Sequence, residues 1–167
     1  EKEILLNSLG AANRTFQQVY PGDKPDRQAV HTVYGGANLF KADTCVKMGE
    51  IAMKNLQTYA PDFISLAKVL KFDGYDQLPD DEKKAAKLVK KLDKMNEAER
   101  RKHAAWLPYT VYNKIIQKLQ NEAVEDFRID FEDGFGSRPD EEEDTTAVNA
   151  ANELAEGMKN KTISPFI

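Results

Sequence analysis

One stretch limits the fold more than any other: Phe127-Arg128-Ile129-Asp130-Phe131-Glu132-Asp133-Gly134-Phe135-Gly136. Apolar and charged residues alternate along it, so an extended chain puts Phe127, Ile129 and Phe131 on one face and Arg128, Asp130 and Glu132 on the other. The pattern predicts a strand over 127–132, closed by a glycine turn. A charged face on such a strand has two readings. Acids at the carboxyl end of a parallel strand sit where α/β proteins place catalytic and metal groups, whereas an edge strand with one solvated face shows the same alternation.

The rest of the chain decides what such a strand can pair with. Residues 3–19 place Ile4, Leu5, Leu9, Ala12, Phe16 and Val19 at mostly helical spacing, and 20–28 read as a loop with two prolines and a glycine. Ala29 to Tyr34 is β-branched and aromatic and stops at Gly35-Gly36, which predicts a first strand. From Lys41 to Tyr59 a stripe of Ala42, Cys45, Val46, Gly49, Ala52, Met53, Leu56 and Tyr59 predicts a core-facing helix, with Cys45 as a small buried hydrophobe. Pro61 breaks that helix and Asp62 to Leu70 resumes it. More helix follows over 76–121, with Asp80 or Asp81 as a cap, Asn96 and Glu99 at capping-box spacing, and Pro108 in the first turn of a helix that buries Tyr112, Ile115, Ile116 and Leu119. His103 lacks a sequence-local acid or metal partner and reads as a junction residue, and Trp106 reads as interhelical packing.

After the opening stretch, the acids Glu141 to Asp144 belong to the first turn of a helix, where they complement its dipole, and are not counted as metal ligands. Ala147, Ala150, Ala151, Leu154, Ala155 and Met158 give that helix an apolar face. Ile163 to Ile167 reads as the start of a third strand. The order is strand, long helical crossover, strand, helix, strand, which predicts a parallel sheet in a single α/β domain. Two and a half such units close neither a barrel nor an open sheet, so the sequence reads as the front portion of a larger α/β domain.

Composition fits this class. The chain has 167 residues, 41% hydrophobic and 31% charged, with a formal net charge of −4. That balance argues against a nucleic-acid footprint, and no apolar run reaches membrane-spanning length. A lone cysteine excludes an intrachain disulfide, and a cytoplasmic location is the expectation, with the sequons at Asn13 and Asn160 as chance matches.

The segments Tyr20-Pro21-Gly22-Asp23, Val30-His31-Thr32-Val33-Tyr34, Asp43-Thr44, Arg128 to Gly136, Arg138-Pro139-Asp140 and Glu142-Glu143-Asp144 together resemble one family. The chain is similar to the amino-terminal part of the citrate lyase β-subunit/HpcH-HpaI aldolase family, in an aldolase/citrate-lyase-like branch. The likeness covers roughly residues 20–60 and 108–167, and 73–107 stands out as a helical insertion between the first two strands. The resemblance implies the amino-terminal portion of a (β/α)₈ TIM barrel of the phosphoenolpyruvate/pyruvate type, helix-rich here, with two to three parallel strands.

It also implies a Mg²⁺-dependent carbon–carbon lyase or aldolase acting on a 2-oxo acid or acyl-CoA type substrate. A divalent ion would polarise the carbonyl and stabilise the enolate. Asp130-Phe131-Glu132-Asp133 matches the family's Asp-hydrophobic-Glu-Asp motif, which assigns Glu132 and Asp133 to catalysis and Asp130 and Glu132 to the metal. His31 and Tyr34, at the end of the first strand, and Arg138, in the loop, are candidate substrate-binding residues. Core packing is the alternative for His31 or Tyr34, and pairing with acidic neighbours for Arg138. Gly35-Gly36 either admits a ligand close to the backbone or makes a turn. The family's direct metal-binding Glu and Asp and its substrate-gripping Arg are expected beyond Ile167, so the chain alone is expected not to turn over. The alternative is a non-enzymatic helical interaction module with an idle acidic strand end. A small-molecule substrate, with association into a homo-oligomer through an exposed sheet edge, completes the expected partners; nucleic acid and membrane are not among them.

Overall fold

A computed structural model describes residues 2–22 and 26–167. The loop expected over 20–28 therefore lies partly outside the described residues. Two strands, β1 (Thr32–Gly36) and β2 (Asp126–Asp130), pair in parallel, with Thr32 opposite Asp126 and Gly36 opposite Asp130. Phe166 forms a parallel bridge to Asp126, with Phe127 N donating to Phe166 O at 3.1 Å and Phe166 N to Glu125 O at 3.0 Å. At its amino end β2 is therefore bonded on both sides, and the order across the sheet follows the order along the chain. The fold is mixed α/β, helix-rich, with a small parallel sheet.

Both strands are displaced from their expected limits. The first begins and ends later than Ala29–Tyr34 because Gly35 and Gly36 lie inside it. A Cβ on Gly35 would sit 2.6 Å from the Phe127 ring, so this position must be bare for that ring to lie against β1. Upstream, Val30 is 87% exposed, and its N–H is spent on the Glu125 carboxylate at 2.6 Å rather than on the sheet. The second strand stops at Asp130, which leaves Phe131 and Glu132 in the turn that follows.

The helices fall close to their expected places. They are α1 (Lys2–Val19), α2 (Thr44–Tyr59), α3 (Phe63–Leu70), α4 (Glu82–Lys94), α5 (Glu97–Arg100), α6 (Trp106–Asn121) and α7 (Asp140–Asn160). Their ends follow from side-chain caps that satisfy orphan N–H groups. Asp62 accepts from Ser65 N, Asp81 caps α4 by accepting from Lys84 N, and Asn96 and Glu99 close a capping box on α5. Asp80, the alternative cap for α4, instead pairs with Lys68. The His103 ring accepts from Ala105 N at 3.1 Å, which fits a junction role.

Apolar side chains gather in two clusters. One is helical and holds Phe63, Ile64, Ala67, Leu78, Leu92, Ala105 and Tyr112. The Tyr112 hydroxyl donates to Ala60 O at 2.9 Å and fixes α6 across the break at Pro61. The other cluster lies under the sheet, where Phe127 meets Phe40 (ring centroids 5.5 Å apart), Cys45, Val124 and Ala150. α7 turns a different face inward from the expected one: Ala150 and Gly157 are buried and Leu154 half-buried, whereas Ala147, Ala151, Ala155 and Met158 are exposed. Gly157 sets this orientation, since a Cβ there would meet Ile163 at 2.5 Å. No residue of α1 is buried. No helix among the described residues is long and apolar enough to cross a membrane.

Candidate functional site: the acidic loop after the second strand

Asp130 closes β2 and builds the loop beyond it. Its Oδ1 accepts from Glu132 N at 2.8 Å and its Oδ2 from Gly134 N at 2.7 Å, so both oxygens are spent on the backbone. This is the local turn that a short acidic side chain favours. Gly136 N then donates to Glu132 O at 2.7 Å, and Phe135 tucks in, 4% exposed, with its ring 5.5 Å from that of Phe131. The loop also leans on β1: a Cβ on Gly36 would come within 2.1 Å of Gly134 O. Gly35-Gly36 thus makes neither a turn nor a gap for a ligand, because the second strand and its loop occupy the space.

Glu132 and Asp133 project from this loop into solvent. Among the described residues no hydrogen bond or ion pair ties either carboxylate, in contrast to Asp130. Arg138 stands at the far side of the loop. Its Nε donates to Phe135 O at 3.0 Å, its guanidinium lies 4.6 Å over the Phe135 ring, and it pairs with Glu142 in the first turn of α7. Arg138 thus ties the loop to the helix.

The structure does not bring the two first-strand candidates to the loop. His31 precedes β1, its Nδ1 4.0 Å from a Glu125 oxygen, and it lies about 16 Å along the strand from Gly36, five residues at the rise of extended chain. Because β1 starts at Thr32 and runs on to Gly36, His31 lies before its amino end. Tyr34 is in the middle of β1, 71% exposed and opposite Arg128 in register. By alternation it shares a face of the sheet with Asp126, Arg128 and Asp130, a face that is open at Tyr34 and Arg128 and buried at Asp126.

A second acidic group, at the amino end of the sheet, was not expected. Glu125 is buried, paired with Lys118 and 3.6 Å from Arg27, and Glu122 pairs with both Arg27 and Lys118. The Arg27 hydrogen bonds first, and those from Lys118 second, pull the Glu122 carboxyl down to about 2. Lys118, followed by the Val30 N–H, holds Glu125 below the usual carboxylate range. On the other face Asp126 accepts from Thr32 at 2.8 Å and pairs with Arg128 at 2.9 Å, while its Oδ1 is buried without a partner among the described residues. These contacts clasp the segment entering β1 to α6 and β2.

A cavity of about 600 Å³ also lies at the amino end, walled by Cys45, Gly49, Met53, Val124, Ile163 and Pro165 together with Glu50, Lys54, Glu122 and Lys161. The loop is the better candidate site, because it carries two carboxylates without a partner among the described residues, whereas Glu122 on the cavity wall is already paired with Arg27 and Lys118. No group of three or more His, Cys, Asp or Glu among the described residues is arranged to hold a metal ion. The loop's donor set is nevertheless all carboxylate oxygen, as Mg²⁺ prefers, and two of its three acids are uncommitted.

A family model described as a domain of unknown function (DUF6986) matches residues 9–167. No curated protein and no solved structure matches the chain.

Proposed function

This chain belongs to the DUF6986 family, and from that premise we propose that it carries part of the site of a Mg²⁺-dependent carbon–carbon lyase or aldolase. The substrate class is a 2-oxo acid or acyl-CoA, and the fold is the first portion of a (β/α)₈ barrel. One observation carries the reading: parallel strands ordered in space as in sequence, with uncommitted acids on the loop at the carboxyl end of the central one. A barrel is wound in that order, and its sites are built from such loops.

In this reading Glu132 is the carboxylate that holds the metal, and Asp133 handles the proton beside it. When bound, Mg²⁺ supplies polarisation of the substrate carbonyl. Asp130 acts through the loop, fixing the direction of both neighbours by holding the Glu132 and Gly134 N–H groups. Tyr34 lines the open part of its sheet face, and Arg138 holds the loop against α7 from a position where it can meet a substrate carboxylate.

The open reading frame around the chain is the first test. An Arg after the next strand and a Glu and an Asp at later strand ends would support the lyase; a reading frame without them would sink it. The second test is Mg²⁺ titration followed by thermal shift with pyruvate or oxaloacetate present. A Mg²⁺-dependent rise that Glu132→Gln abolishes is the expected result.

The separate helical cluster built by α3, α4 and α6 favours a second reading, an interaction module in which the acidic strand end is idle. Mg²⁺-independent stability in both wild type and Glu132→Gln would favour it.

A further inference from the structure

Helix α4 carries six lysines against two acids, in a chain whose net charge is −4. At the pitch of an α-helix, Lys83, Lys84, Lys87, Lys90, Lys91 and Lys94 all fall within an arc of about 120°, and no other residue of α4 does. Glu82 and Asp93 lie outside the arc, and Leu88, Val89 and Leu92 pack into the helical cluster on the opposite side. All six lysines are exposed, and none has an ion-pair partner among the described residues. Cations three and four residues apart repel along a helix. A face that only had to stay in water would gain from acids set among them, and this one has none.

The carboxyl end of α4 adjoins a groove of about 500 Å³ formed by α5 and α6 and lined by Glu97, Arg100, Arg101, Trp106, Tyr109 and Lys114. Tyr109 donates to Asp93 of α4 at 2.7 Å, and Arg100 lies 5.6 Å over the Tyr109 ring while reaching Leu92 O at 3.5 Å. These contacts make groove and lysine helix neighbours. Glu97, the one acid of the groove wall, is paired with Arg101, whereas Arg100 and Lys114 have no carboxylate partner among the described residues. Trp106 is half-buried and forms part of the wall.

We propose that this face binds single-stranded nucleic acid, with the lysine arc along the phosphate backbone and Trp106 as the plane on which a base stacks. A cationic track beside an aromatic side chain is how single strands are held without regard to sequence. Lysine suits the track, since a flexible point charge neutralises phosphate without a fixed geometry. The acidic balance of the whole chain does not oppose this, because fields in physiological salt decay within about 8 Å and a strand on α4 meets the lysines alone. A membrane surface fits less well: the apolar side chains of α4 are turned into the body, which leaves none to enter a lipid interface. An acidic protein segment would satisfy the lysines and leave Trp106 unused.

Trp106 is the only tryptophan in the chain, so its fluorescence reads the test directly. An oligo-dT of roughly twelve nucleotides, within the span of known single-strand sites, is titrated into the protein at low salt. The expected result is saturable quenching, matched by the anisotropy of the labelled oligonucleotide, with an affinity that falls as salt rises. Lys87→Gln combined with Lys90→Gln weakens binding on the order of tenfold and flattens the salt dependence, because fewer counterions are released. Its thermal unfolding is not lowered, since the change removes like-charge contacts. Lys159→Gln, on α7, binds as the unmodified chain does. Absence of saturable binding overturns the proposal, as does binding that the double variant leaves unchanged or that leaves Trp106 fluorescence untouched. Polyglutamate, anionic phospholipid vesicles or a duplex of the same length bound as tightly as the single strand would overturn it equally.

Discussion

Gly36 and Gly134 touch backbone to backbone: the carbonyl oxygen of Gly134 fills the space where a side chain on Gly36 would begin, 2.1 Å from the position of its Cβ. That contact seats the acidic loop on the end of the first strand. Gly36→Ala must push the two apart and is expected to cost about 2–3 kcal/mol, as overpacking against backbone does. Gly136→Ala provides the contrast. It has open space around it but a φ of +79°, so its cost is conformational strain of about 1 kcal/mol. Urea unfolding of both variants measures the difference.

Asp130→Ala removes the acceptor for two loop N–H groups. The expected loss is about 1–3 kcal/mol, the cost of stranding such donors reduced by their access to water. Amide exchange reads the effect directly: Glu132 and Gly134 should speed up, while amides in α6 keep their rates.

Acid should loosen the clasp at the other end of the sheet. Glu122 titrates near 2 in the folded chain against an ordinary 4.5, chiefly because of Arg27 and then Lys118. The unfolded state therefore binds more protons in this range, and stability rises with pH. The contribution is complete above 4.5 and is lost as pH falls toward 2, with Glu125 shifting in the same direction. Melting temperature should drop across that window in wild type and drop less in Arg27→Gln, which thermal unfolding at stepped pH would record.

Phe127→Ala empties the centre of the sheet cluster, where the ring is 3% exposed and packs on Phe40 and over Gly35. A cost of about 3–5 kcal/mol is expected for a buried phenylalanine. The helical cluster does not contain this ring, so far-ultraviolet circular dichroism should lose less than the stability does.

How far these features could be read from sequence depended on the range over which each is determined. Caps are local, so the Asn96–Glu99 box and a cap at either Asp80 or Asp81 are legible, as is the inward parity of Phe127, and only the folded chain decides for Asp81. The limits of β1 were not, since two glycines read as a stop, and what asks for a bare position at Gly35 is a ring ninety-two residues later, at Phe127. The same two glycines carry the carboxyl end of the strand past Tyr34 and leave His31 before its start. The clasp escaped notice because Arg27, Lys118, Glu122 and Glu125 share no pattern until the chain has folded. Asp130 was recognised as part of the acidic motif, but nothing in its spacing said that both its oxygens would turn back onto the loop.

The pairing of Thr32 with Asp126 has a kinetic meaning. Ninety-four residues separate the two partners, and the helices between them make mostly shorter-range contacts. Closing so long a loop costs entropy that a compact crossover lowers, so the helical cluster is expected to form before the sheet, an order that pulsed hydrogen exchange would read. In that order the acidic loop would settle onto Gly36 only after the sheet had paired. A substitution that slows collapse of α3 on α6 would delay the site's appearance without touching any residue in it.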